Sequence, residues 1–123
     1  MKIQIKRLDH VQLAIPIGGE ERAREFYGGI LGLAEVEKPA ELKKNGGLWY
    51  EVAGIGLHLG AEEPQARSKR HPAFKVENLE AVRAYLKENG AEIKEEVQIE
   101  GIERFSFYDW FGNRIEFFEQ RHI

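Results

Sequence analysis

Polar and apolar residues alternate at the start of the chain, and the spacing then becomes helical. Residues 8–16, Leu-Asp-His-Val-Gln-Leu-Ala-Ile-Pro, alternate between the two classes and predict a β-strand that ends at Pro16. In residues 20–30 the apolar positions recur at the spacing of one helix face, which predicts a helix. The buried stripe of that helix is expected to consist of Ala23, Phe26, Tyr27 and Ile30.

Three short strands are predicted next, over residues 34–38, 47–53 and 55–60, with glycines at the turns between them. Residues 61–70 are polar and charged, contain Pro64 and show no periodic apolar pattern. This stretch is therefore predicted to be a linker between two structured parts of the chain.

The second half of the chain repeats this order of elements. Residues 71–76 predict a strand, and Asn78 then lies where the side chain of a helix cap is expected. Gly90 is in the position of a helix stop. The apolar stripe of the helix between them is formed by Leu79, Val82, Tyr85 and Leu86.

Three more strands are predicted over residues 92–97, 103–109 and 114–119. The last two are joined by Asp109-Trp-Phe-Gly-Asn113, a segment rich in turn-forming residues. Each half thus contains one strand, one helix and three strands. A repeat of this kind predicts an α+β protein built from paired βαβββ modules.

Module one covers about residues 1–62, the linker about 61–70 and module two about 71–123, all in a single domain. One module alone would expose a face of its four-stranded sheet. Pairing of the modules, within one chain or between two, is expected to bury that face or to close it around a pocket.

Composition excludes several classes of function. The formal net charge is −3 with both signs mixed along the chain, which argues against a nucleic-acid partner. Cysteine is absent, so disulfides, thiolate metal ligands and cysteine nucleophiles are excluded. No signal peptide or membrane-spanning stretch is recognisable, and a cytoplasmic protein without a membrane partner is expected.

Four potential metal ligands occupy equivalent places in the two modules. His10 and His71 lie in the first predicted strand of each module, and His58 and Glu116 in the last. Side chains alternate between the two faces of a strand. In each of these strands the residues on the face opposite the candidate ligand are apolar, so the four candidate ligands are expected to project from the less apolar face of their strand. Those apolar neighbours include Val11, Leu13, Ile15, Leu57, Leu59, Phe74, Val76, Ile115 and Phe117.

Neutral imidazoles and a carboxylate suit one divalent transition metal ion, namely zinc, iron, manganese, cobalt or nickel. His10, His71 and Glu116 form a set of two histidines and one carboxylate, and His58 is a fourth candidate. Any single strand histidine is more often a hydrogen-bonded structural residue, so the metal prediction depends on the set. His122 has no such support and is predicted to be a solvated tail residue.

Further positions can be assigned by parity. Glu119 has the parity opposite to Glu116 and is expected to cap the surface at the strand end. Gln12 and Arg114 lie two residues from His10 and Glu116, so both are candidates for substrate binding.

Alternatives remain open for the pocket residues. Arg114 is either a clamp for an anionic substrate group or a surface arginine paired across the sheet. Trp49, Phe105 and Phe107 are either lining residues of the cavity or plain core.

Three segments resemble the vicinal-oxygen-chelate superfamily, which includes glyoxalases, bleomycin-resistance proteins and dioxygenases. They are Asp9-His10-Val11, the helix segment Ala23-Arg-Glu-Phe-Tyr-Gly-Gly-Ile-Leu-Gly-Leu33, and the closing Gly112-Asn-Arg-Ile-Glu-Phe117. The resemblance implies paired βαβββ modules that form a curved mixed sheet around a metal pocket, often exchanged between two chains of a homodimer. It also implies that His10, His58, His71 and Glu116 bind the metal, with sites formed between modules.

Departures from the superfamily limit the reaction that can be inferred. Glyoxalase I usually has a glutamate at the position of His58 and an arginine at that of Ala14, whereas Glu96 and Glu100 replace the cationic contacts of fosfomycin-resistance enzymes. The resemblance implies a divalent-metal-dependent enzyme for a small oxygen-chelating substrate, with lyase or isomerase chemistry and Glu116 as a proton-shuttling base. The alternatives are an extradiol-type dioxygenase, a non-catalytic bleomycin-type drug-binding protein, and a structural metal site.

Overall fold

The chain forms two compact units, Met1–Pro64 and Gln65–Ile123, in a computed structural model. The structure describes residues 1–121, and His122 lies outside the described residues. Among residues 1–121, no helix has the length and apolar character needed to span a membrane. Each unit contains one four-stranded mixed sheet.

The first unit has the order strand, helix, three strands. β1 (His10–Pro16) pairs in parallel with β4 (Ile55–Glu62), and β3 (Leu48–Val52) pairs antiparallel with β4 and with β2 (Ala34–Val36). The helical segment begins as α1 (Glu20–Ala23) and continues as a π-helix over Arg24–Ile30. The sheet order is therefore β1-β4-β3-β2, with β4 between its parallel and antiparallel neighbours.

Alternation places the apolar residues of this sheet on one face. Leu48 pairs with Leu59 and Tyr50 with Leu57 across β3 and β4, and all four are nearly fully buried. The Tyr27 ring of the π-helical segment lies 6.0 Å from the Tyr50 ring, centroid to centroid. The predicted stripe residues Ala23, Phe26 and Tyr27 are fully buried. Hydrophobic burial on this face leaves the opposite face to polar side chains.

The second unit repeats the topology. β5 (Ala73–Lys75) pairs in parallel with β8 (Arg114–Gln120), and β7 (Ile102–Tyr108) pairs antiparallel with β8 and with β6 (Glu92–Glu95). The helix α2 (Leu79–Glu88) follows β5. The paired βαβββ architecture predicted from the sequence is therefore confirmed. The buried residues of this unit include Leu79, Leu86, Phe105, Phe107 and Ile115.

Several local predictions differ from the structure. The first strand of the second unit begins at Ala73, and His71 precedes it, because Pro72 has no N–H to donate to a ladder. The helix predicted over residues 20–30 widens after Ala23, where Leu31 N–H donates to the Phe26 carbonyl at 2.9 Å. A short 3₁₀ helix at Ala40–Asn45 was not predicted, because it has no apolar periodicity.

The start of α2 is held by a residue from the end of β8. Asn78 adopts a left-handed conformation and its side chain makes no capping hydrogen bond, so the predicted side-chain cap was wrong. The Glu119 carboxylate accepts hydrogen bonds from the backbone N–H groups of Asn78 (2.9 Å) and Leu79 (3.2 Å). Glu119 therefore caps the helix rather than the strand surface, and its negative charge suits the helix N-terminus.

Replacement of Glu119 by alanine is expected to lower the free energy of unfolding by about 1 kcal/mol, because it removes both capping bonds. Urea denaturation at neutral pH measures the change. Glu77→Ala serves as the control because Glu77 is exposed and acidic at the same end of the helix. Equal stability of the two variants would contradict the capping role.

Candidate metal and substrate site

Two glycines of β4 make room for polar side chains on the face opposite the buried leucines. A Cβ on Gly56 would lie 2.9 Å from Nε2 of His58 and 3.0 Å from Cβ of His10. A Cβ on Gly60 would lie 2.4 Å from Nε2 of Gln12. The sequence Gly-Leu-His-Leu-Gly therefore gives β4 one apolar face and one face across which neighbouring side chains can lie.

Three rings stack on that face. His58 lies between His10, whose ring centroid is 4.2 Å away, and Trp49, whose ring centroid is 4.0 Å away. The interplanar angles are 16° and 4°. Trp49 is directly opposite His58 in the β3–β4 register, so the pairing of the strands builds this stack.

The stack affects both the charge and the orientation of His58. Burial and, to a lesser extent, the neighbouring His10 lower the pKa of His58, which favours the neutral ring. The ring lone pairs lie in the ring planes, and the planes of His10 and His58 are nearly parallel. In this conformation the lone pairs of the two rings do not converge on one point.

Asp9 fixes the orientation of His10. Its Oδ2 accepts a hydrogen bond from Nδ1 of His10 at 2.9 Å, and this bond lowers the pKa of Asp9. Arg7 also donates to the other carboxylate oxygen at 3.1 Å. With Nδ1 used as a donor, the neutral ring of His10 keeps its lone pair on Nε2, as metal-binding histidines do.

A cavity of about 570 Å³ opens beside the stack within the first unit. Its lining includes His10, Gln12, Lys38, Trp49 and His58. The structure thus brings the predicted substrate residue Gln12 to the same cavity as two predicted ligands. Of the three aromatic candidates Trp49 lines this cavity, whereas Phe105 and Phe107 are fully buried in the second unit.

The second unit brings His71 and Glu116 together. Nε2 of His71 lies 3.2 Å from Oε1 of Glu116, and Nδ1 of His71 donates to the Lys69 carbonyl at 2.7 Å. In the neutral ring Nε2 then carries a lone pair, which faces another acceptor, so a proton or a metal ion must lie between them. Two adjacent ligands, each about 2.1 Å from a zinc-type ion, are about 3 Å apart, so this pair fits a metal.

Arg104 also contacts Glu116, and sequence reasoning missed it. Its Nη1 lies 3.3 Å from Oε1 of Glu116, and its Nε donates to the Val97 carbonyl at 2.9 Å. The alternation of side chains along β7 could have identified Arg104. Ser106 is directly opposite Glu116, and Arg104 is two residues from Ser106 on the same face.

Arg114 has the contacts of a paired arginine. Its Nη2 donates to Oε1 of Glu96 at 2.5 Å and its Nε to Oγ of Ser106 at 3.3 Å. Burial opposes ionisation of Glu96, but hydrogen bonds from Ser106 and Arg114 outweigh it and lower the pKa of Glu96. Both charged side chains are about one-tenth exposed, at 12% for Arg114 and 9% for Glu96. The head group of Arg114 is therefore occupied by an ion pair.

The predicted ligands thus form two pairs, His10 with His58 in the first unit and His71 with Glu116 in the second. Within residues 1–121, no group of three or more histidine, aspartate or glutamate side chains is gathered around one point. Each unit contains one histidine whose Nδ1 is hydrogen-bonded, and the second unit also contains the Glu116 carboxylate.

The family model for the Glyoxalase/Bleomycin resistance protein/Dioxygenase superfamily matches residues 7–117. The chain belongs to this superfamily. The match spans both units, so the family resemblance of the sequence is confirmed. A comparison with curated proteins found no match.

Solved structures agree with this assignment. A proposed glyoxalase family protein from Bacillus anthracis is 42% identical, with a TM-score of 0.90, and the alignment covers 98% of this chain and 100% of that one. A glyoxalase/dioxygenase from Nostoc punctiforme is 25% identical, with coverages of 95% and 92% and a TM-score of 0.76.

The fosfomycin resistance protein FosX from Listeria monocytogenes shares the fold at 20% identity. Its TM-score is 0.79, and the alignment covers 96% of each chain. FosX has also been solved in complex with Mn(II) and sulfate. The superfamily fold thus includes a metal-binding relative.

The lowered pKa of His58 predicts a pH effect in the metal-free protein. The pKa of its ring is expected to lie below 6.5, the ordinary value for histidine, because burial in the folded protein disfavours the charged form. The unfolded chain then binds more protons, so stability is fully present above the unfolded pKa and is lost as the pH falls through the folded pKa.

Histidine Cε1 signals in NMR measure this titration, and urea unfolding at several pH values measures the stability. His58→Gln is expected to have a flatter stability profile over the same pH range, since it removes the group that titrates. A His58 pKa above 6.5 would contradict the stacked, part-buried environment.

Proposed function

We propose that the protein is a divalent-metal-dependent enzyme that acts on a small oxygen-chelating substrate, by lyase or isomerase chemistry. The observation that carries the proposal is the 3.2 Å contact between Nε2 of His71 and Oε1 of Glu116, in a ring whose Nδ1 already donates to the Lys69 carbonyl. Such a contact is stable when a cation or a proton lies between the two atoms. Membership in a superfamily with a Mn(II)-binding relative favours the cation.

The proposed ligand set is His10, His71 and Glu116. His10 is included because Asp9 fixes the ring with Nε2 free, which matches the state of His71 in the second unit. His58 is proposed as a wall residue, since its ring stacks between His10 and Trp49. Two histidines and one carboxylate suit zinc, iron, manganese, cobalt or nickel and leave coordination positions open.

A metal bound by these residues would act as a Lewis acid toward an oxygen of the substrate. Glu116 is the proposed catalytic base. Its Oε1 is held by His71 and Arg104, whereas Oε2 has no hydrogen-bond partner among the described residues. Oε2 can therefore accept a proton from the substrate and return it at another atom, which is the proton movement that an isomerase or a lyase requires.

The first unit is proposed to position the substrate. The Gln12 amide offers both a donor and an acceptor beside His10, and the face of Trp49 gives the cavity an apolar wall. A neutral His58 adds no positive charge next to the site. This arrangement suits a small molecule with several oxygen atoms and a short apolar part.

One alternative reaction has a specific observation in its favour. A set of two histidines and one carboxylate is also the ligand set of extradiol-type oxygenases, because it leaves room for both substrate and oxygen. The name of the Nostoc punctiforme relative includes a dioxygenase.

Non-catalytic binding of a bleomycin-type drug would use the same cavity but would not need Glu116.

The metal prediction is tested by elemental analysis of protein reconstituted with each candidate ion. The wild type is expected to bind about one equivalent per chain, and His10→Ala or Glu116→Gln to lose more than about 100-fold in affinity. His58→Gln is the matched control and should retain the metal. Less than about 0.2 equivalents in the wild type would contradict the proposal.

The same variants separate the possible activities. In D₂O, NMR is expected to show exchange of a carbon-bound proton in an accepted hydroxy- or oxo-substrate, and Glu116→Gln should abolish it. Oxygen consumption with catechols would support the dioxygenase instead. Metal binding without either signal would indicate a structural site or a binding protein.

We also propose a homodimer in which two chains exchange modules, so that His10 of one chain serves with His71 and Glu116 of the other. Co-expression of a His10→Ala chain and a Glu116→Gln chain with different tags, followed by purification on both tags, tests this. One of the two sites in the exchanged heterodimer is intact, so about half of the wild-type metal content is expected. Absence of metal would show that each chain builds its own site, and failure to recover a heterodimer would contradict the dimer.

A further inference from the structure

We propose that Arg104 binds an anionic group of the substrate, so that the substrate is a small oxyacid whose carboxylate or phosphonate pairs with this guanidinium. The inference rests on the proposed function, because the neighbouring oxygen of the same substrate would be the one that reaches the metal. It assigns the charge of the substrate, which neither the family nor the ligand set determines.

The position of Arg104 is fixed by its own strand and the segment before it. The side chain donates from Nε to the Val97 carbonyl at 2.9 Å. The Gln98 side chain makes two hydrogen bonds to the backbone of Arg104. It accepts from the Arg104 N–H at 3.3 Å and donates to the Arg104 carbonyl at 3.1 Å. A guanidinium held in this way loses little further entropy when it binds a ligand.

The free donors of Arg104 lie beside Glu116. Nη1 is 3.3 Å from Oε1 of Glu116, and Nη2 has no partner among residues 1–121. The side chain is 20% exposed, so a ligand can reach it. A guanidinium has five N–H donors, and the bond from Nε to Val97 and the long contact of Nη1 with Glu116 use two of them, which leaves three for a ligand.

A comparison with Arg114 supports the assignment to Arg104. Both arginines lie on the polar face of the second sheet, but Arg114 is paired with the buried Glu96 at 2.5 Å and with Ser106. Breaking that pair would leave the Glu96 carboxylate buried without a partner, which is costly. Arg104 shares its acidic partner with the proposed metal, and a metal on Glu116 would weaken that carboxylate's attraction for the guanidinium.

This arrangement predicts that replacing Arg104 changes the affinity for the metal and the affinity for the substrate in opposite directions. A fixed positive charge next to a cation repels it, so Arg104→Gln is expected to tighten metal binding by about tenfold. The same change is expected to weaken binding of an anionic substrate group by about tenfold or more. A residue that only held Glu116 in place would weaken both when replaced.

The experiment compares glycolate with glycolamide, which has the same hydroxyl group but no charge. Calorimetric titration of metal-loaded protein gives both affinities, and competition with a chelating indicator gives the metal affinity. Wild type should prefer glycolate, and Arg104→Gln should reduce that preference by about tenfold. Arg121→Gln is the matched control, since Arg121 is an exposed arginine of the same unit paired with Glu103.

Arg104→Lys keeps the positive charge but lacks the planar guanidinium. Its preference for glycolate over glycolamide should therefore lie between those of the wild type and of Arg104→Gln. It also carries the test if the glutamine variant does not fold, as judged by circular dichroism. An unchanged preference for glycolate in the folded variants would overturn the role of Arg104. A wild type that binds no metal would instead overturn the proposed function, so the two failures are distinguishable.

Discussion

The alternation of side chains across two four-stranded sheets is the constraint on which the rest of the structure depends. Burial of Tyr50, Leu57 and Leu59 on one face of the first sheet forces their neighbours to the other face. In the second sheet the buried Phe105, Phe107 and Ile115 do the same for Ser106 and Glu116. The site residues are therefore positioned by the hydrophobic effect, and a shift of one residue in the register of either sheet would turn the site residues of the shifted strand to the opposite face.

Within those faces, hydrogen bonds to Nδ1 determine what the histidines can do. His10 is held by the Asp9 carboxylate and His71 by the Lys69 carbonyl, so the two units reach the same ring state with different acceptors. Charge then differs between the units. The first presents a stack of three aromatic rings, whereas the second carries Glu116 and Arg104 in contact.

The fold and the faces were predictable because they depend on periodicity, which is local in sequence. The repeat, the turn at Asp109 and the buried stripe of the first helix all followed from the spacing of residue types. The cap of α2 was not predictable in this way, because Glu119 comes from 41 residues beyond Asn78. The stacking of His58 on Trp49 depends on the side-chain rotamers of both residues, and the pairing of Arg114 with Glu96 depends on the conformation of the loop that follows β6. Such contacts require the tertiary structure.

In both sheets the strand that comes last in its unit lies in the interior of the sheet. β4 separates β1 from β3, and β8 separates β5 from β7. During synthesis, β1 and β5 leave the ribosome without a neighbour and must wait for a partner made about 40 residues later. Glu119, which caps the N-terminus of α2, also lies in the last strand, β8. Each unit is therefore expected to fold in one cooperative step after its final strand has emerged, with little stable structure before that moment.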